Sequence, residues 1–213
     1  MKYLFILLLT ELLFSSCVDN TNRGKIVYDK MQSFTQEKKG TLYFPFDTLK
    51  GNRNVLENWA NNVLYDLKEP LLFNYHGNGE FVRFIWLRSF ENPVIIRINR
   101  FNDSVYANIK ELKIKANDTI LPNIVKDTIV TVSKREWQNI TEPIEKSNFF
   151  TAKYADNNLN EDGAIWFLEY RNERGYKVIR RWDNGRLSSE PLNYYLIPLI
   201  NFANEYVSLK SLR

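Results

Sequence analysis

Apolar residues recur at Leu56, Trp59, Ala60, Val63, Leu64 and Leu67, the i, i+3, i+4, i+7, i+8 spacing of a helix with one buried face. The spacing predicts a helix over 53–68, capped by Asn52 or Thr48. Glu69-Pro70 ends it, because the residue before a proline avoids helical backbone. Upstream, TLYFPF at 41–46 reads as a short strand or extended segment, with Pro45 keeping it to an edge or an end.

Past the turn NYHGNG at 74–79 the period changes. The segments EFVRFIWLRSF (80–90), VIIRINRF (94–101) and SVYANIKELKIK (104–115) are rich in β-branched and aromatic residues. They are separated by Glu91-Asn92-Pro93 and by Asn102-Asp103, the second a two-residue hairpin turn. Three strands with short breaks predict an antiparallel meander, and DTIVTV at 127–132 adds a further strand.

Ser133-Lys134-Arg135-Glu136 is a capping box that opens a helix carrying Trp137, Ile140 and Ile144, with Pro143 expected to shorten it. AIWFLEYR (164–171) and GYKVIRRW (175–182) flank Glu173-Arg174 as a hairpin. In that register Arg171 faces Tyr176 and Glu169 faces Val178. Both faces of the hairpin are largely apolar, so it is expected to be central or packed on both sides. Leu192, Tyr195, Leu196, Leu199, Ile200, Ala203 and Tyr206 form a last helical stripe over 189–208, with Ser188 or Ser189 as cap, Pro191 in the first turn and Pro198 as a kink. The order of helices and strands predicts an α+β domain over 41–213: an antiparallel sheet, a meander plus a C-terminal hairpin, packed with about three helices.

Composition is that of a globular chain, 44% apolar and 25% charged, with aromatics at 15%. The net charge of +4 is spread along the chain, which excludes a nucleic-acid stripe. The N-terminus has a different logic. Lys2, the apolar run Tyr3–Leu9 and the small residues Ser15-Ser16 follow the order of a secretory signal peptide. The apolar run is too short to span a membrane, which takes about 20 residues. Cys17, the single cysteine, stands directly after Ser15-Ser16. Leu13-Phe14-Ser15-Ser16-Cys17 resembles a bacterial lipobox. The resemblance implies removal of 1–16, acylation of Cys17, a tether over 17–40, and a lipid-anchored place in the cell envelope, at the outer membrane of a Gram-negative bacterium. More than one acyl chain on one residue also meets the two-signal requirement for stable anchoring.

The catalytic inventory is thin. The single histidine, His76, sits in the Gly/Asn turn and is expected to be exposed. No His or Cys pair has metal-ligand spacing, no G-x-S-x-G elbow occurs and no phosphate loop is present, so neither metal nor cofactor is expected. Carboxylates remain. Glu169 lies on the hairpin diagonal of Arg180, within reach of a long side chain. The expectation is a structural ion pair between Glu169 and Arg180. The competing reading makes Glu169 a general acid or base of an envelope-polymer hydrolase, with Asp162 or Asp183 as second carboxylate. The strand arginines Arg83, Arg88, Arg97, Arg100, Arg180 and Arg181, with Arg186 just beyond, are expected on a solvated outer face, with a partner- or anion-binding face as the sharper alternative.

Two further resemblances carry weight. Asp47-Thr48-Leu49, Asp103-Ser104-Val105, Asp118-Thr119-Ile120 and Asp127-Thr128-Ile129 repeat one triplet, Asp, hydroxyl residue, aliphatic. It resembles the acceptor motif of bacterial general O-glycosylation, which implies Thr48, Ser104, Thr119 and Thr128 as sites; turn chemistry gives the same residues without a glycan. Trp166, Leu168, Glu169, Tyr176, Val178, Arg181 and Trp182 form a W-x-L-E…Y-x-V-x-R-W pattern that resembles a group of bacterial envelope proteins and implies no particular activity. Three functions are therefore compatible with the sequence. The first is a non-catalytic binding or accessory protein for an envelope protein or glycan. The second is an exported inhibitor or immunity-type protein. The third is the carboxylate hydrolase.

Cys17→Ser is expected to abolish membrane partitioning and acyl labelling. The intact mass of the native protein reads the lipid, and any glycan-sized steps above it, in one measurement.

Overall fold

A computed structural model of the chain describes residues 42–45, 55–88, 91–113, 124–155, 164–183 and 195–206. The signal segment, Cys17, the tether, Thr48, Asn52, Thr119, Asp162, Arg186, Ser188, Ser189 and Pro191 lie outside the described residues. The elements run α1 (Val55–Asp66), β1 (Glu80–Arg88), β2 (Val94–Phe101), β3 (Ser104–Leu112), β4 (Ile124–Thr131), α2 (Lys134–Glu145), a 3-10 turn (Phe149–Thr151), β5 (Ala164–Asn172), β6 (Gly175–Asp183) and α3 (Leu196–Asn204).

The six strands form one antiparallel sheet in the order β4-β3-β2-β1-β5-β6. The fold is α+β, with the expected meander and C-terminal hairpin. The hairpin register is the one read from the sequence: Glu169 faces Val178 and Arg171 faces Tyr176. The connection between β4 and β5 crosses the sheet through α2, so β5 pairs with β1, and β6 becomes an edge. That edge is partly covered, because Arg180 N–H donates to Tyr154 C=O at 2.6 Å.

Both faces of the sheet are buried. On one, Val82, Phe84, Ile96, Ile98, Ala107, Trp166, Leu168 and Ile179 pack beneath α2 and α3. On the other, Ile85, Leu87, Ile95, Ile165, Phe167 and Val178 pack beneath α1, through its predicted stripe of Ala60, Val63, Leu64 and Leu67. This corrects the expectation of a solvated outer face for the strand arginines: Arg83, Arg88, Arg97, Arg180 and Arg181 are all buried. Segment 42–45 is bent rather than a strand, and it is core. Phe44 stacks on Phe167 with centroids 5.0 Å apart, and Tyr43 N–H donates to Asn61 Oδ1 at 2.9 Å.

The capping box of α2 forms as read, with Glu136 N–H on Ser133 Oγ at 3.1 Å and Ser133 N–H on Glu136 Oε2 at 2.7 Å. Pro143 stays inside α2, which runs on to Glu145. Pro198 does not kink α3. The helix begins at Leu196, so Pro198 occupies the first turn, where its missing N–H has no intrahelical acceptor to lose.

The end of α1 decides where the next residues go. Glu69 N–H donates to Leu64 C=O at 2.9 Å and Lys68 N–H to Tyr65 C=O at 2.9 Å, the paired bonds of a Schellman motif. Lys68 therefore holds φ +53°, a left-handed conformation that a side chain disfavours. The reversal turns Glu69 from the helix end into the core, where it is wholly buried. Lys68→Gly is expected to raise stability by about 0.5–1 kcal/mol, and Lys68→Val to lower it, read from urea midpoints.

Candidate functional site

The strongest chemistry in the fold is a row of charges beneath α1. Strand pairing places Asn108, Arg97, Arg83 and Glu169 directly opposite one another across β3, β2, β1 and β5. All four are buried. Two guanidinium groups therefore stand as direct cross-strand neighbours, a destabilising arrangement unless an anion intervenes. Two carboxylates do so. Glu169 takes a bidentate pair from Arg83, through Nε to Oε2 and through Nη2 to Oε1 at 2.9 Å. Glu69 enters from above. It accepts from Arg97 Nε at 2.8 Å and lies 2.9 Å from Lys110 Nζ and 3.5 Å from Arg83 Nη1.

Backbone groups at the end of α1 complete the shell. Lys110 Nζ donates to Leu67 C=O at 2.7 Å and Arg83 Nη1 to Pro70 C=O at 2.7 Å. The Leu67 carbonyl is among those a helix end leaves without intrahelical donors, where the helix dipole favours cations, and the Pro70 carbonyl lies just beyond the turn that follows. At the other end of α1, Glu57 in the first turn accepts from Arg180 Nη1 at 2.6 Å and from Tyr154 Oη at 3.0 Å. Tyr176 Oη donates to Glu169 Oε1 at 2.7 Å. The helix is thus held across the sheet, from β6 to β3, by ionic contacts at both ends.

The sequence expectation of a Glu169–Arg180 pair is corrected here. Both residues are buried and both are paired, but Glu169 pairs with Arg83 and Arg180 with Glu57. The reason is geometric. Arg83 stands directly opposite Glu169 on β1, whereas Arg180 is displaced along β6 and opposes Phe167. The hairpin register alone left β1 out of account.

Electrostatics follow from this shell. Burial would raise the Glu69 carboxyl, but Arg97, Lys110 and Arg83 outweigh it and hold the group well below the usual carboxylate range. Burial and then Glu169 push the Tyr176 phenol up, so it remains a proton donor. Burial, with Glu57 beside it, does the same to Tyr154. Glu169 is wholly enclosed and its two oxygens are occupied by Arg83 and Tyr176, which closes it to a substrate. Of the carboxylates weighed as its catalytic partner, Asp162 lies outside the described residues, and Asp183 opposes Ala164 at the end of β6. Among the described residues no three His, Cys, Asp or Glu gather as a metal site. His76 is exposed in its turn.

The W-x-L-E…Y-x-V-x-R-W residues divide between the faces. Trp166 and Leu168 pack beneath α2 and α3, whereas Glu169, Tyr176 and Val178 belong to the α1 face. Arg181 Nη1 donates to the carbonyls of Lys153 and Tyr154, both at 3.2 Å, and ties the 153–155 segment to the edge.

The surface has its own pattern, missed in the sequence. Among the described residues the exposed large apolar side chains are Ile124, Val125, Ile129 and Ile197. Three belong to the edge strand β4, and the fourth lies in a groove between α2 and α3. Of the O-glycan triplets, Ser104 is exposed beside the β2–β3 turn and Thr128 is half-buried on β4.

No protein-family model matches this chain, and no curated protein matches it. Among the described residues no helix is long and apolar enough to cross a membrane.

Arg83→Met and Glu169→Gln are each expected to cost about 3–5 kcal/mol, because each leaves a buried group without its counter-charge. The double variant is expected to recover part of that loss. Urea denaturation of the three proteins and the parent measures it, and three unchanged midpoints would reject the structural role.

Proposed function

We propose that the chain is a cell-envelope lipoprotein, anchored through an acylated Cys17, that works as a non-catalytic binding or accessory protein. The observation that carries this reading is the edge strand β4. It presents Ile124, Val125 and Ile129 at 40%, 54% and 40% exposure. Natural edge strands are normally blunted with charge or covered, so three exposed aliphatic side chains on one edge call for a partner. The mode that fits is strand addition. Main-chain groups supply the pairing, and alternate side chains supply the selection.

The partner is a different chain rather than a second copy. In an antiparallel pair of identical strands about a dyad, a central residue faces its own copy. Centred on Asp127, that sets two like charges directly opposite, which destabilises a sheet; centred on Thr128, it sets Lys126 against Val130 and Asp127 against Ile129, a charge against an aliphatic side chain in each case. The register shift between Glu111 and Leu112 also disturbs the start of the strand and weakens a flat self-pairing. An extended segment of an envelope protein, with basic residues opposite Asp127 and apolar residues opposite Ile129, avoids these mismatched pairs. The Ser104 triplet suits the same setting, since an exported, exposed hydroxyl beside a turn is open to a glycosyl carrier.

Ile129→Lys with Val125→Lys is expected to leave the melting temperature unchanged and to remove the specific partner captured from envelope extract by the parent protein. Retention of the same partner by the double variant would overturn the strand-addition reading.

A further inference from the structure

The groove between α2 and α3 is a second candidate surface, on the opposite face of the sheet from α1. The C-terminal end of α2 lies beside the N-terminal end of α3, and the N-terminal half of α2 beside the C-terminal end of α3. Two cavities, of about 870 and 330 Å³, share Asn139, Ile197 and Pro198 and so form one continuous trough. Its floor is apolar, built from Ile140, Ile197, Pro198 and Phe202. Ile197 is 46% exposed although it sits on a helix packed against the core.

The rim is anionic on a chain whose net charge is +4. Among the described residues Glu136, Glu142 and Glu205 line it, against a single lysine, Lys146, which is paired with Glu142. One of these carboxylates opposes the fold. Glu142, in the last turn of α2, is offset by its pair with Lys146 at the C-cap, but Glu205 is the C-cap of α3, where the helix dipole is already negative. A carboxylate there costs about 0.3–1 kcal/mol where a lysine would stabilise. α3 carries no basic residue in its last turn. Burial first, and then Glu136 and Glu205, push the nearby Tyr206 phenol up.

We propose that this trough seats an amphipathic helix of a partner protein, with its apolar face on Ile197 and Phe202 and with lysines or arginines against the glutamate rim. A helix suits the shape: two antiparallel helices of 12 and 9 residues border a trough of roughly 14–18 Å, the length of about three helical turns. Apolar anchors at i, i+3, i+4 and i+7 are the recognition mode of such grooves. The surplus of carboxylates over cations on the rim selects basic flanks and rejects acidic ones. This site is separate from β4 in residues and in face, so the two stand or fall independently.

The test uses the full chain carrying Cys17→Ser and three fluorescent peptides of about 14 residues. One has leucines at helical spacing flanked by lysines. The second has glutamates in place of the lysines. The third has the composition of the first with the helical period scrambled. By fluorescence anisotropy the first is expected to bind at least about tenfold tighter than either control. Ile197→Asp and Glu205→Lys are each expected to weaken it by about tenfold or more, the first with unchanged melting temperature and the second with a slightly raised one, because truncating an anchor or a complementary charge is costly at such sites. Ile129→Lys on β4 is expected to have no effect. Equal binding of the three peptides, or binding of the first that survives both groove substitutions, would overturn the proposal.

Discussion

Two arginines face each other in the middle of the sheet, and the fold is arranged to tolerate them. Arg83 and Arg97 are direct neighbours on β1 and β2, and neither reaches solvent. Charges taken out of water are stable only when countered and hydrogen-bonded. Glu169 supplies one carboxylate from β5. Glu69 supplies the other, and it can do so only because α1 ends where it does and Lys68 takes a left-handed turn. The placement of α1 on the sheet is therefore tied to the charge balance inside it.

From that constraint the rest of the architecture follows. The α1 face of the sheet is apolar at its flanks and ionic through its middle, whereas the opposite face, beneath α2 and α3, is apolar in its packed core. The buried row holds α1 to β6 through Glu57 and to β2 and β3 through Glu69, a span of about 18 Å for 12 residues. Carboxylates fixed in this way are enclosed. Among the described residues the exposed apolar features are the β4 edge and the α2–α3 trough.

Much of this was legible in the sequence, and the limits are physical. The stripe from Trp59 to Leu67, the capping box at Ser133 and the strand–turn–strand over 164–182 are local patterns, and each formed with the expected register. Glu69 was legible only as the residue that stops a helix before Pro70. Its partners Arg83, Arg97 and Lys110 lie on three different strands, and no local period reports them. One signal was present: Arg83 and Arg97 each stand between two apolar residues inside strands with almost no polar alternation, which is unusual for a solvated face. The Glu169–Arg180 expectation failed for the same reason, since a hairpin pattern says nothing about the strand on its other side. The β4 edge was missed because strand order, not composition, decides which strand lacks a neighbour.

The central claim is that Glu69, ionised among Arg83, Arg97 and Lys110, fixes α1 to the sheet. Its carboxyl is held below the ordinary glutamate value, so its contribution is fully present above that value and is lost as pH falls through and below about 4.3. The direct measurement is unfolding free energy by urea between neutral pH and pH 3, for the parent and for Glu69→Gln. The account predicts that the variant is clearly less stable at neutral pH, and that the gap between the two narrows as the pH falls. A variant equal to the parent at neutral pH, or a gap that stays constant down to pH 3, would contradict it.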